Sequence, residues 1–357
     1  MPNGKRPTIT DVAAVAGVGA STVSRYVRHA KSVSPRMVDR IEQAIARLGY
    51  EPNILARGLR IGRTRVLGVL VPHVANVFYS AAVRAIENEA RERGFTVLLL
   101  THHEDQRSQD SQLSVLKQFQ CDGIILIPAA GTEAQRVFEL VGSTPLVALD
   151  RPLGKRWDSF TLDNYAATKQ ATQHLLWHGH KRIIAVTAPY RLDTLEQRQQ
   201  GYRDALKAAR LDPQVITSRT PDQLRADLLA ALSSNGSLPP AVLSLSYTIT
   251  ISVLHALRDC GLSLRETPLV AIDDLEFATL VDPPLTTLAQ PAERLGSLSV
   301  NRLFARMNDD PDTIAHSKIG GQLIIRESCG CNRTAPAQEH PIAAPRLSKR
   351  LIRQAPA

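Results

Sequence analysis

Three short stretches of the chain hold residues whose type and spacing suit chemistry. Gly17-Val18-Gly19 has the glycine pair that opens a nucleotide-binding loop. His174 and His178, in HLLWHGH with His180 close behind, share one helical face as metal ligands do. Cys329-Gly330-Cys331 puts two thiols side by side. Each has a plainer reading. A dinucleotide loop needs a strand before it and a third glycine where Thr22 stands, whereas Val12-Ala13-Ala14-Val15-Ala16 reads as helix. The cysteine pair has no second pair to complete a metal site and reads as strand-end thiols. No Gly-x-Ser-x-Gly elbow or phosphate-loop Gly-Lys-Ser/Thr is present. The chain is therefore expected to be no enzyme and to hold neither cofactor nor metal.

Binding chemistry remains, and it starts at the N-terminus. Thr10 is placed to cap a helix with Val12, Val15 and Ala16 on one face, and Gly17 ends it in the left-handed conformation such ends favour. A second helix starts near Ala20, buries Val23 and Val27, and presents Ser21, Ser24, Arg25 and Arg28 outward. Ser34-Pro35 starts a third, striped by Val38, Ile41, Ile45 and Leu48 and closed by Gly49. Two short helices joined by a tight turn, with a supporting third, make a helix-turn-helix unit whose second helix enters the DNA major groove. Ser21 and Thr22 suit bases or phosphates, Ala20 an apolar contact, and Arg25 either a bidentate guanine contact or a phosphate clamp. Pro52-Asn53 starts a brief stretch holding Gly58. It is either a linker or a marginal helix that folds when docked.

The charge supports this placement. The whole chain carries +9, of which residues 1–65 carry +8 and residues 332–357 carry +4, leaving −3 on the body between. A basic segment attached to a nearly neutral body is the pattern of a polyanion-binding module. With 43% apolar and 22% charged residues the chain has the composition of a folded protein of two or three domains. Four scattered cysteines are expected to be reduced, and no stretch reaches the roughly 18 apolar residues of a membrane span, so the expected location is the cytoplasm.

The body alternates apolar runs with amphipathic helices. Strands are predicted at Val66–Val71, Phe95–Leu100, Gly123–Ile127, Pro145–Leu149, Ile183–Thr187, Ala241–Leu245 and Leu269–Ile272. Helices are predicted near 79–93, 106–119, 133–141, 164–178, 196–209, 221–232 and 249–260. Two doubly wound halves follow.

The stretches TITDVAAVAGVGASTVSRYV, VSPRMVDRIEQAIARLGYEPNILARGLR and GVLVPHVANVFYSAAVRAIENEARERGF resemble the LacI/GalR, or lactose-repressor, family of bacterial transcription regulators. The likeness continues through VALDRP, HLLWHGHKRIIAV, AIDDLEFATLVDPPLTTLAQP and QLIIRESCG, covering about residues 8–331. The histidine stretch thus resembles the family's helix end before Gly-His. The resemblance implies an all-α helix-turn-helix domain (8–50), a hinge (51–64) and an α/β sensor of two lobes. The sensor is like the type I periplasmic sugar-binding proteins. Its lobes are expected at 65–162 with 292–325 and at 163–291, with crossings near 162, 291 and 325. Residues 332–357 follow as a flexible basic tail.

A homodimer is implied, a repressor in the family's manner, placing two helical units in successive major grooves of a pseudo-palindromic operator. Thr8, Thr10 and Tyr50 join the second-helix residues on the DNA-facing surface. Leu59 matches the wedge that bends the duplex, Asn53, Ala56 and Arg57 match hinge contacts, and Arg60 a minor-groove position. A small polar effector, a sugar or sugar-derived metabolite, is implied between the lobes. Asp150, Arg198, Asp273 and Gln290 match its polar contacts, and Asn76, Phe78 and Tyr79 occupy the first strand-to-helix loop. Simpler roles stay open. Arg198 is within reach of Glu196 or Asp193 on a surface helix, and Asp150 could cap a turn with Arg151. His73 stands where many relatives have Asp, Val77 where they have Pro, and Ser246-Tyr247 replaces a frequent Asn-Asp. The chemistry of the ligand rim has therefore changed.

Overall fold

The computed structural model describes residues 7–28, 32–50, 63–233, 240–309 and 313–331. The hinge positions Asn53, Ala56, Arg57, Leu59 and Arg60, the side chain of Arg28 and the 332–357 tail lie outside the described residues.

The N-terminal helices are α1 (Ile9–Ala16), α2 (Ala20–Arg28) and α3 (Pro35–Leu48). Thr8, not Thr10, caps α1. Asp11 three residues on returns the hydrogen bond, its Oδ2 accepting from Thr8 N at 2.8 Å, while Thr10 has only Ala13 at that spacing. Gly17 adopts φ +61, and the chain then turns directly into α2. The small core is Val12, Ala13, Ala16, Val23, Ile41 and Ala44. Val15, expected on the packed face, is 44% exposed because Ala13 and Ala16 supply that face instead. Ser34 and Pro35 open α3 as the sequence predicts, though the serine hydroxyl makes no capping bond.

Beyond them, the strands among the described residues form two six-stranded sheets. In the first, β1 (Val66–Val71), β2 (Thr96–Thr101), β3 (Gly123–Leu126), β4 (Leu146–Leu149), β5 (Asp158–Leu162) and β11 (His316–Ile319) are ordered β11-β5-β4-β3-β1-β2. The helices α4 (Val77–Glu92), α5 (Gln106–Gln118) and α6 (Ala134–Val141) fall between its strands in sequence. In the second sheet, β6 (Ile183–Thr187), β7 (Gln214–Thr217), β8 (Ala241–Ser244), β9 (Leu269–Ile272), β10 (Thr286–Ala289) and β12 (Gln322–Ile324) are ordered β12-β10-β9-β8-β6-β7. Its helices are α7 (Asn164–Trp177), α8 (Asp193–Ala208), α9 (Pro221–Ser233) and α10 (Tyr247–Asp259), and α11 (Ala292–Met307) follows β10. The central strands of both sheets pair in parallel, and their side chains are buried on both faces, as doubly wound sheets require. Each half has its own core: Leu70, Leu113, Ile124 and Val137 belong to the first, Leu175, Ala185, Tyr202 and Leu243 to the second.

The same order in both sheets marks an internal repeat. Leu146-Val147-Ala148-Leu149-Asp150 and Leu269-Val270-Ala271-Ile272-Asp273 occupy equivalent strands, and both aspartates leave the strand with positive φ, +65 and +78. Among the described residues, contacts divide the chain into one unit within 7–74, 79–160 and 293–317 and another within 75–78, 161–292 and 318–331. The third boundary comes before the expected 325. The two glycines after β11 release the chain from the first sheet, and β12 then pairs antiparallel with β10 of the second, Leu323 opposite Leu288.

Five strands went unpredicted: β5, β7, β10, β11 and β12. Their threonines, serines, glutamines and charged residues hide the apolar run. The sequence Asp-Ser-Phe-Thr-Leu of β5 is nonetheless wholly buried. Asp158 at its start is held by Arg302 Nε at 2.9 Å, Arg306 Nε at 2.8 Å and Ala315 N at 2.9 Å. Burial works to raise its pKa, yet these donors together hold it below the usual carboxylate range.

Candidate functional site

The N-terminal unit offers one polar face. Ala20, Ser21 and Arg25 on α2 are exposed, and Thr22 and Ser24 are half-buried. Arg25 has no carboxylate partner among the described residues. The face is held rigid from behind: Tyr26 Oη donates to Glu42 Oε1 of α3 at 2.8 Å, and Arg40 Nη2 donates to Gly17 O at 3.2 Å. Burial and the Glu42 carboxylate raise the Tyr26 hydroxyl, so it stays a proton donor. Thr10 is exposed beside this face, Tyr50 is half-buried against the core, and the Thr8 hydroxyl is engaged by its own cap.

In the first unit, Asp150 lies 3.5 Å from Tyr79 Oη and 3.6 Å from Arg151 Nε. The dominant cation is Arg151, which sequence reasoning passed over. Its Nη1 and Nη2 reach Glu104 at 2.8 and 2.6 Å, Nη1 also donates to Pro128 O at 2.7 Å, and Nη2 donates to Tyr79 Oη at 3.1 Å. Desolvation works against the charge on both sides of this pair, but the bidentate bonding prevails: the guanidinium is pushed up and the Glu104 carboxyl down. The Asp-Arg dipeptide of VALDRP was the available signal. Exposed His73 pairs with His103, Nδ1 to Nδ1 at 3.2 Å. A cavity of about 610 Å³ in this unit, lined by Thr64, Gln120, Asp122 and Pro145 among others, contains none of the predicted ligand residues.

The second unit gathers the larger share. Arg198 is 5% exposed and does not pair with Glu196 or Asp193 on the surface. Its Nε donates to Asn164 Oδ1 at 2.6 Å and its Nη1 to Leu245 O at 2.8 Å. Asn164 opens α7 and was also missed, because β5 before it was not read as a strand. Gly201, one turn after Arg198, lets α8 lie against α7, since a Cβ there would sit 2.3 Å from Tyr165 O. Asp273 is 4% exposed, accepts from Gln290 Nε2 at 2.6 Å and from the Tyr247 backbone, and feels the Arg198 charge. Desolvation outweighs these donors, and its pKa is raised. Two buried polar atoms beside it, Ser246 Oγ and Gln290 Oε1, have no hydrogen-bond partner. Asn76 Oδ1 accepts from Phe78 N at 2.9 Å at the start of α4, and Phe78 is buried. The set can hold a polyhydroxylated molecule: a fixed cation, a carboxylate and two unsatisfied groups within one unit.

Residues 8–53 match the description "Bacterial regulatory proteins, lacI family", and residues 172–329 match a periplasmic binding protein-like domain. The HTH-type transcriptional regulator PtxS of Pseudomonas aeruginosa is 34% identical over 340 residues, spanning 92% of this chain and 97% of that protein. The chain belongs to the lacI family of bacterial regulatory proteins. The ribose operon repressor of Escherichia coli K12 is 31% identical over 84% of this lacI-family chain and 93% of its own. A crystal structure of the lac repressor dimer bound to operator and an anti-inducer shares the fold, with TM-score 0.78 and 24% identity over 91% of this chain and 99% of that one. The lacI-family chain is thus a DNA-binding transcriptional regulator with a sensor region. Among its described residues no helix is long and apolar enough to cross a membrane.

Proposed function

We propose that this regulator is a repressor that acts as a dimer on a pseudo-palindromic operator and performs no covalent chemistry. A sugar or sugar acid bound by the Arg198–Asp273 set sets its DNA affinity. One observation carries the ligand half: buried Arg198 and Asp273 stand beside Ser246 Oγ and Gln290 Oε1, two buried polar atoms that no protein group among the described residues bonds. An orphaned buried polar atom costs about 1–3 kcal/mol, a penalty that a hydroxyl-bearing ligand removes. The departures at His73 and Ser246-Tyr247 change the chemistry of the rim, so no named relative's ligand is carried over to this chain. On the DNA side, α2 supplies Ala20, Ser21, Thr22, Ser24 and Arg25 to the major groove, and the basic N-terminal segment releases counterions from phosphates. The ligand acts as a switch by binding one conformation more tightly than the other.

The test starts from a duplex that the intact protein selects from a random-sequence pool. Arg25→Ala is expected to weaken binding about tenfold or more, with a bidentate base contact worth ~1–3 kcal/mol. Steep weakening with salt is expected in both proteins. A thermal-shift screen against sugars and sugar acids is then expected to find a stabilising compound that also changes the DNA affinity. Unchanged affinity in the arginine variant rejects the DNA face. Absence of any stabilising compound among those classes rejects the ligand reading.

A further inference from the structure

The two stretches set aside singly in the sequence meet in space. His174 is the last-turn histidine of α7, and His178, one turn later, is the residue that caps it. Their rings lie 4.7 Å apart, centroid to centroid. Cys329 and Cys331 arrive from the end of the second unit, on either side of Gly330 at φ +88. Cys331 Sγ lies 2.7 Å from His178 Nε2, 3.6 Å from His174 Nε2 and 2.9 Å from Cys329 Sγ, and one ligand atom from each of the four residues falls within 4.8 Å of all the others. His180 stays outside the cluster and steadies it, its Nε2 donating to Cys329 O at 3.1 Å.

We propose that His174, His178, Cys329 and Cys331 hold a structural zinc ion that ties the end of the 318–331 segment to the end of α7. Tetrahedral zinc, with bonds of about 2.3 Å to sulfur and about 2.0 Å to nitrogen, spaces its ligand atoms roughly 3.3–3.8 Å apart. The present spacings of the four ligand atoms run from 2.7 Å to no more than 4.8 Å and bracket that range. The set is closed, two sulfur and two nitrogen donors, which selects zinc over the harder divalent ions and leaves no open position for catalysis. Charge argues the same way. Two thiolates and two neutral imidazoles around a dication sum to zero, which suits a site whose Cys329 and His174 are fully buried and whose thiols pack on Leu175, Leu176 and Leu323. The site shares no residue with the proposed DNA or ligand sets, so its test stands apart from theirs.

The full chain, purified under reducing conditions without chelator, is expected to carry about one zinc per chain by elemental analysis. Replacement by cobalt is expected to give the visible d–d bands and thiolate-to-metal charge transfer of a tetrahedral sulfur site. Cys331→Ser and His178→Gln are each expected to retain less than about a tenth of the zinc, whereas His180→Gln keeps it. Circular dichroism checks that each variant is folded. Where the variants fold poorly, the wild-type chain decides alone: thiol reagents are expected to modify Cys329 and Cys331 only after a chelator is added. A folded wild-type chain that lacks zinc, gives no cobalt spectrum, and has thiols equally reactive with and without added zinc overturns the proposal. So does a Cys329–Cys331 disulfide that forms and persists despite the reductant present during purification.

Discussion

Asp150 and Asp273 stand at the same place in a repeated half, at the end of equivalent strands and both in left-handed conformation, yet their surroundings have diverged. Around Asp150 the first unit comes close to satisfying itself: Arg151 Nε lacks a hydrogen bond but still faces the carboxylate at 3.6 Å. Arg151 lies against the carboxylate, is clamped by Glu104 on two bonds, and draws in Tyr79 Oη and Pro128 O. Around Asp273 the second unit stops short. The carboxylate is buried with its pKa raised, Arg198 spends two of its donors on Asn164 and Leu245 O, and Ser246 Oγ and Gln290 Oε1 are left bare. The same strand end can therefore serve as a finished structural joint or as an unfinished one that awaits a ligand. The difference rests on which partners the following loops supply.

Removing the guanidinium from each half sharpens that contrast. Arg151→Ala leaves Glu104 buried without its partner, and breaking such a pair costs about 3–5 kcal/mol. Chemical denaturation of the full chain is expected to show a loss of that size. A loss under about 1 kcal/mol would deny the first unit its role as joint. Arg198→Ala should behave differently. Burial already raises the Asp273 pKa, so protonation in place of the lost cation costs less than at an ordinary carboxylate, and the stability loss is expected to be the smaller of the two. The larger consequence falls on ligand: the charged hydrogen bonds that the guanidinium offers are worth about 1.5–3 kcal/mol, or roughly a hundredfold in effector affinity at the upper end. Titration calorimetry with whichever compound the thermal screen finds is the check. An unaltered affinity would make the two halves alike.

The sequence shows this contrast only in part, for physical reasons. Helix-turn-helix signals are local: a left-handed glycine at 17, Ser34-Pro35 at a helix start, a stripe on α3. The cap went astray, because two threonines compete and only Thr8 has Asp11 at the spacing that answers it, and so did Val15, whose packed face Ala13 and Ala16 supply. Central strands were legible as apolar runs. Strand β5 was not, since Asp158 is tolerable there only through arginines 144 and 148 positions away. Arg198 and Asp273 were legible as residues, through resemblance, but their burial was not. Nor was the Arg151–Glu104 clamp, whose members lie 47 positions apart. The histidine and cysteine pairs each read as ordinary alone, and nothing local links positions 153 apart.

A gentler change tests the second half without removing its cation. Asp273→Asn keeps an oxygen facing Gln290 and abolishes titration. In the wild type the folded pKa lies above the unfolded value of about 4, so the native state binds the proton more tightly. This group's contribution is then fully present below about pH 4 and is lost as pH rises through the folded value, because the ionised carboxylate is the disfavoured form where it is buried. The asparagine variant escapes that loss. Its unfolding free energy relative to wild type is therefore expected to climb with pH, at no more than about 1.4 kcal/mol per unit. Urea unfolding of both proteins at a mildly acidic and a neutral pH measures it. Other carboxylates, such as Asp158 and Glu104 with depressed values, change stability with pH in the opposite direction but equally in both proteins, so they cancel in the difference. A flat difference would mean that Arg198 compensates Asp273 as fully as Arg151 does Glu104. The second half would then be a finished joint as well, with no deficit for a ligand to relieve.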